Sequence, residues 1–220
     1  MLLDLHNHTR YSPDSRVAPR DLVAVARRVG LQGVAITDHN EVRGIREAEE
    51  AAGDGFLVIP ASEVSSREGH ILALGVRERV PRDLGVAETV GRIVALGGVP
   101  VAAHPYRFWS GLGEESVRSN AFRAHETRNG RTLRRGNARA SALAKSMGVG
   151  QVGGSDSHFL GEVARAVTSV NGGPMGLDGV LQAIGQGRTK VQGLDRGLAG
   201  TAKYVTKCVS EWMMRGMERI

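Results

Sequence analysis

The sequence predicts an α/β fold, open or barrel-like. Three observations carry that reading: short apolar runs alternate with helix-periodic segments, glycine supplies 30 of 220 residues, and polar residues gather where the apolar runs end. Glycine at about twice the usual ~7% fits many tight turns between many short elements. Runs at 2–5, 33–37, 56–61, 71–76, 99–103, 149–152 and 164–170 read as strands. Stretches 19–29, 86–96 and 137–147 read as helices. Pro19 suits a first helical turn, and Gly30, Gly97 and Gly148 stand where helices end. Near the C-terminus, Val205, Val209, Trp212, Met213 and Met217 recur at three- and four-residue spacing, which predicts an amphipathic helix packed on the domain. The expected division is one domain over 1–198 and a C-terminal helix over 199–220.

At 23.4 kDa and 41% hydrophobic residues, the chain can bury a sizeable core. No apolar run approaches the ~18 residues of a membrane-spanning helix. The first residues lack the basic and apolar regions of a signal peptide. The single cysteine, Cys208, excludes an internal disulfide framework and a multi-cysteine zinc site. A soluble, cytoplasmic protein is expected, with no membrane partner and no obligate protein partner. The net charge of +6 favours anionic ligands such as phosphate esters or nucleic acid. The densest basic stretch holds Arg128, Arg131, Arg134, Arg135 and Arg139. It reads as a solvated loop and exposed helix start before it reads as a nucleic-acid track, because aromatic residues are only 4% of the chain.

Chemistry is carried by the histidines. Six of seven (His6, His8, His39, His70, His104 and His158) fall where an apolar run meets a polar loop. His6 and His8 lie one residue apart after a strand, so both point to one face, as two ligands of one metal would. Asp156 and His158 repeat that spacing with a carboxylate. Glu63 and His70 are separated by six residues, too few for a parallel crossover, so their strands should be antiparallel neighbours facing one site. Clustered imidazoles with Asp14, Glu63 and Asp156 desolvate poorly without metal. The mixed nitrogen and oxygen set suits Zn, Mn or Fe, and nine donors imply more than one ion. His125 has no such neighbour and reads as structural.

The pattern resembles the PHP (polymerase and histidinol phosphatase) family. The matching pieces are His6-Asn7-His8-Thr9, Ser12-Pro13-Asp14, Ile36-Thr37-Asp38-His39, Glu63, Gly69-His70, His104-Pro105 and Gly154-Ser155-Asp156-Ser157-His158, over residues 2 to about 168. The resemblance implies a distorted (β/α)7 TIM-like barrel with up to three divalent ions (Mn, Fe or Zn). By the same resemblance, His6, His8, Glu63 and Asp156 hold the first ion. Glu63, His70 and His104 hold the second, and Asp14, His39 and His158 the third. The implied activity is phosphate-ester hydrolysis by a metal-activated hydroxide, with Glu63, Asp156 and His158 in the catalytic set. Arg107 and Arg165 are the expected phosphate clamps. Glu126 and Asn129, in a similar family segment, read as supporting or turn residues. Residues 106–120, with Phe108 and Trp109, read as a flap or an ordinary loop and helix.

The implied substrate is a phosphorylated small molecule or a nucleic-acid 5′ end. The compact spacing between His104 and Asp156 leans towards nucleotides over histidinol phosphate. Two other readings stand beside it. An amidohydrolase of C–N bonds would need a carboxylated lysine at a strand end, whereas Lys145 lies in a helical stretch and Lys190, Lys203 and Lys207 follow the histidine motifs. A non-catalytic PHP module would be expected to lose ligands that this chain keeps.

Overall fold

The computed structural model describes residues 1–173 and 175–195, and beyond them only positions 206, 209, 210, 213 and 216. Among residues 1–195, nine strands form one sheet: β1 (Leu2–Asp4), β2 (Gly33–Ile36), β3 (Leu57–Ser65), β4 (His70–Leu74), β5 (Val99–Ala102), β6 (Ala124–Asn129), β7 (Gly150–Gly154), β8 (Ala166–Val170) and β9 (Thr189–Gly193). Six α-helices of the same described residues join them: α1 (Pro19–Arg28), α2 (Gly44–Ala52), α3 (Val86–Ala95), α4 (Gly113–Arg118), α5 (Arg134–Met147) and α6 (Leu177–Gly185). The strand order is β7-β6-β5-β4-β3-β2-β1-β8-β9. The far edge curls back on the first: Thr168 on β8 exchanges hydrogen bonds with Gly153 on β7, and Thr189 on β9 donates to the Gln151 carbonyl. The sheet is therefore a nearly closed α/β barrel. Its described strands and helices do not divide into seven even β/α pairs.

Two reversed strands, β4 and β8, interrupt the parallel run, each antiparallel to both of its neighbours. β3 and β4 are antiparallel, with Glu63 opposite Leu72 and Ser65 opposite His70, as their short separation requires. β8 runs antiparallel to β1 and carries β9 as a second antiparallel neighbour.

Strand periodicity builds both core and site. Leu3, Leu5, Ala35, Ile59, Ala61, Leu72, Leu74, Val101, Ala103, Ala124 and Val152 fill the barrel interior, closed at one end by Val180, Ala183 and Ile184 of α6. The same alternation continues into the chemistry: Ile59 and Ala61 lead to Glu63, Leu74 and Leu72 to His70, and Ala124 to Glu126. Two outer layers complete the packing. One places α1 and α2 against the first strands through Leu22, Val23, Ala26, Ile45 and Ala48. The other places α3 and Leu143 of α5 against β4 and β5.

Gly30, Gly97 and Gly148 follow their helices with φ of 87°, 76° and 66°. The strand expected from 164 begins only at Ala166, because Ala164 takes φ 66° and Ala164 N–H donates to Asp4. Most of the expected C-terminal helix, Trp212 and Met217 included, lies outside the described residues. Among the described residues, no helix is long and apolar enough to cross a membrane.

Candidate metal centre

The nine donor-type residues converge at one end of the barrel. Glu63 is the hub. One of its carboxylate oxygens lies 2.9 Å from His70 Nδ1 and 2.8 Å from His104 Nε2. The other lies 3.2 Å from both His6 Nε2 and His8 Nε2, and 3.3 Å from His39 Nδ1. Asp156 Oδ1 stands 3.8 Å from His6 Nε2 and 3.5 Å from His8 Nε2. Asp14 Oδ2 is 2.7 Å from His158 Nε2 and 3.6 Å from His39 Nε2. The His8 and His158 rings are 4.2 Å apart, and His8 and His39 4.5 Å. Four groups have donor atoms within 4.8 Å of one another: His8–Asp14–His39–His158, His6–His104–Asp156, His6–His8–Glu63 and His39–Glu63–His70.

The donor set fits divalent metal on its own evidence. His6 Nε2, His8 Nε2, His39 Nδ1 and Asp14 Oδ1 are buried and satisfied by no hydrogen bond among the described residues. Such orphaned polar atoms are costly in a protein interior. Their spacing explains them: two donors ~2.1 Å from a shared ion stand roughly 3.0–3.4 Å apart at octahedral to tetrahedral angles. The His6, His8 and His39 distances to Glu63 fall in that range.

Charge is distributed to match. Burial alone would raise the carboxyls of Glu63, Asp14 and Asp156. The histidines around the first two, and Arg107 with His6 beside Asp156, hold all three well below the usual range. His104 is pushed down to about 4 by burial and Arg107, and His158 to about 3 chiefly by burial. Burial also lowers His70. Those three imidazoles are neutral and ready as ligands. His6 and His8 go the other way, because surrounding carboxylates outweigh burial; His6 is raised well above 6.5 and His8 to about 9.

A second ring of groups orients the donors. Glu126 lies 2.9 Å from His6 Nδ1 and accepts from the His104 main-chain N–H at 2.8 Å, so one carboxylate turns His6 Nε2 inward and fixes the His104 backbone. Asn129 donates to both Glu126 and Asp156. Ser12 Oγ meets His8 Nδ1 at 3.0 Å, accepts from His39 N–H and donates to Asp38. Asp38 is itself pinned by the N–H and hydroxyl of Thr9. His104 and Asp156 hold left-handed φ of 27° and 55°, conformations that non-glycine residues adopt at a cost.

Two arginines border the cluster, one of them unexpected. Arg107 pairs with Asp156 and with Asn129 Oδ1. Arg131 is buried, with Nη1 2.6 Å from His158 Nδ1 and 4.0 Å from Asp156 Oδ1. The expected Arg165 is not brought there. Its guanidinium extends from the start of β8 to Glu162 at 4.0 Å and is 37% exposed. The basic stretch splits likewise, since Arg128 is tied to Asp195 at 2.6 Å while Arg134, Arg135 and Arg139 are exposed. His125 lies on the outer face of β6, buried against Phe122. Among the described residues, the lysines Lys145 and Lys190 lie on α5 and β9, away from the cluster.

Comparison with known proteins agrees with this geometry. The PHP domain family model matches residues 4–82, and the PHP-associated model matches residues 134–189. The chain is 39% identical over 117 residues to the uncharacterized protein MJ1587 of Methanocaldococcus jannaschii, covering 48% of this chain and 68% of that one. It is 41% identical over 90 residues to an error-prone DNA polymerase of Cutibacterium acnes, covering 40% of this chain but 7% of the polymerase. A two-domain protein from Bacteroides vulgatus, containing a predicted PHP-like metal-dependent phosphoesterase, superposes with a TM-score of 0.73 at 21% identity, over 88% of this chain and 64% of that one. By its matched segments and its relatives, the chain belongs to the PHP domain family.

Proposed function

We propose that the protein hydrolyses phosphate mono- or diesters with three divalent ions, acting on nucleotides or nucleic-acid 5′ ends. One observation carries the reading: three ionised carboxylates and six histidines converge in a buried cluster whose hub, Glu63, faces five of the imidazoles. His6, His8, Glu63 and Asp156 would hold one ion, Glu63, His70 and His104 a second, and Asp14, His39 and His158 a third. The donor set, free of thiolate, suits Mn, Fe or Zn. Such ions supply Lewis acidity and a hydroxide nucleophile near neutral pH.

The chain's own residues do the rest. Three carboxylates against three divalent ions leave a net positive site that attracts phosphate. Arg107 and Arg131 bring two more cations to its edge, where a guanidinium can grip two phosphate oxygens at once. Glu126 and Ser12 hold His6 and His8 in place, so the donors need little rearrangement. The +6 charge of the chain and the polymerase relative support a nucleotide or nucleic-acid substrate.

Phosphate release by manganese-loaded protein tests the proposal across histidinol phosphate, mononucleotides, nucleoside 3′,5′-bisphosphates and 5′-phosphorylated oligonucleotides. Turnover of a nucleotide class that Asp156→Ala abolishes is the expected result. No release from any of them at full metal occupancy would overturn it.

A further inference from the structure

We propose that Phe108 and Trp109 form a stacking platform for a nucleobase next to the scissile phosphate. The inference rests on the phosphoesterase reading and narrows its substrate to single-stranded nucleic acid or nucleotides. Their rings meet edge to face, with centroids 4.8 Å apart, yet they are 87% and 66% exposed. Two large aromatic side chains left in water invite a partner with a flat apolar face. The third aromatic among the exposed large hydrophobics of the described residues, Phe159, directly follows His158. All three therefore lie within five residues after a cluster histidine.

The pair stands on a firmly held loop. Gly111 N–H donates to the Arg107 carbonyl and Gly113 N–H to the Pro105 carbonyl, each at 3.0 Å. Leu112 is buried, and His70 N–H donates to the Ser110 carbonyl at 3.0 Å. The loop thus leaves the cluster at His104 and returns to it at His70. One Cα step plus one hydrogen bond puts the Trp109 backbone within about 10 Å of His70. Arg107, the neighbour of Phe108 in the chain, already touches Asp156.

The adjoining surface carries both signs: on α4, Glu114 accepts from the Tyr106 hydroxyl and pairs with Arg118, whereas the exposed start of α5 is wholly cationic and supports a nucleic acid. α5 begins beside this loop, with Gly136 packed on Tyr106 and Arg139 stacked over its ring at 4.0 Å. Its first turn carries Arg134 and Arg135, both exposed, and no acidic residue. Cations at a helix N-terminus oppose the helix dipole, so this arrangement favours an anion there. Exposed aromatics beside cations are what a single strand needs: stacking for the bases and charge for the phosphates.

The test compares a 5′-phosphorylated oligothymidylate with its counterpart carrying abasic sites. The wild-type chain is expected to favour the intact strand in kcat/KM by roughly tenfold to a hundredfold. In Phe108→Ala/Trp109→Ala that ratio falls towards one, whereas a merely structural loop would lower both substrates alike and leave the ratio unchanged. Anisotropy with the two oligonucleotides, measured in chelator so that no turnover occurs, gives the same comparison for binding. A base preference in binding that the double variant loses, without hydrolysis of any ester, would sustain the platform while the phosphoesterase reading fails. Equal handling of both strands by the wild type, or a preference the variant retains, overturns the platform. Self-association that the variant abolishes, without base preference, would make the pair a protein-docking knob and overturn it too.

Discussion

Nδ1 of His158 lies 2.6 Å from Nη1 of Arg131 and 3.0 Å from the main-chain carbonyl of Asp156. It can accept from the first or donate to the second, not both. A histidine that offers Nε2 to a metal keeps its proton on Nδ1 and so bonds the carbonyl. Arg131, whose Nη1 also stands 4.0 Å from Asp156 Oδ1, then turns its charge towards an anion at the cluster instead of donating to His158. Arg131→Ala should lower kcat/KM for the phosphate ester by about a hundredfold, the scale of one lost charge-stabilising donor. Bound metal, measured by elemental analysis, should stay at the wild-type level. Metal lost along with activity would show that Arg131 serves only to hold His158.

Gly154 supports the site through absence of a side chain. A Cβ there would lie 2.3 Å from His6 Cβ and 2.7 Å from His6 N, with Glu126 Oε1 at 3.1 Å. None of these can retreat, because His6 and Glu126 hold one another inside the barrel. Gly154→Ala should therefore displace His6, reduce metal stoichiometry and destabilise the fold by about 1–3 kcal/mol. In a domain of this size that is a fall of several degrees in melting temperature. Wild-type stoichiometry in a chain melting at the wild-type temperature would contradict the account.

The cluster residues were legible because histidine and carboxylate are the main metal-donor types open to a chain with one cysteine, and strand ends show in the apolar pattern. Arg131 was not, because a buried arginine has the same sequence signature as its exposed neighbours Arg134 and Arg135. Only the fold distinguishes them: the Asn129–Arg131 turn follows β6, and Asn137 of α5 clamps it by donating to the Asn129 carbonyl. β6 itself reads poorly. Ala-His-Glu-Thr-Arg-Asn has almost no apolar residue, since its inward Glu126 and Asn129 serve the cluster. β9 alternates only between half-buried and exposed positions, being an outer antiparallel strand with no fully buried residue. The helix α2 is not read from the sequence: it opens on Gly44, where a Cβ would lie 2.5 Å from Asp38, and no side chain caps it.

Metal entry should release protons. His8 is raised to about 9 by the carboxylates around it, so it is protonated at pH 7.5 in the metal-free chain, and His6 is raised in the same direction. A protonated imidazole must lose its proton before its nitrogen can bind an ion. Apparent affinity for manganese should rise with pH up to about 9 and weaken below it. Calorimetric titrations in two buffers of different ionisation enthalpy, at pH 7.5, should give different apparent heats. Identical heats would mean that no proton leaves and that the two histidines are already neutral.

His125 makes a separate and opposite demand on pH. Period-two alternation turns it outward from β6, away from the cluster that Glu126 enters. It is fully buried, and neither ring nitrogen has a hydrogen-bond partner among the described residues. Burial and then Arg118 push it down to about 4. Between pH 6.5 and 4 the unfolded chain therefore takes a proton that the folded site refuses. The stability from a neutral His125 is fully present above pH 6.5 and is lost as pH falls towards 4, by up to about 3 kcal/mol. Urea titrations of the wild type and His125→Leu, both in chelator, should diverge in this way. The variant gains on the wild type as the solution is acidified, and the other titrating groups cancel in the difference. Parallel curves from pH 7 to 4 would mean that His125 keeps an ordinary pKa and finds a partner for its proton.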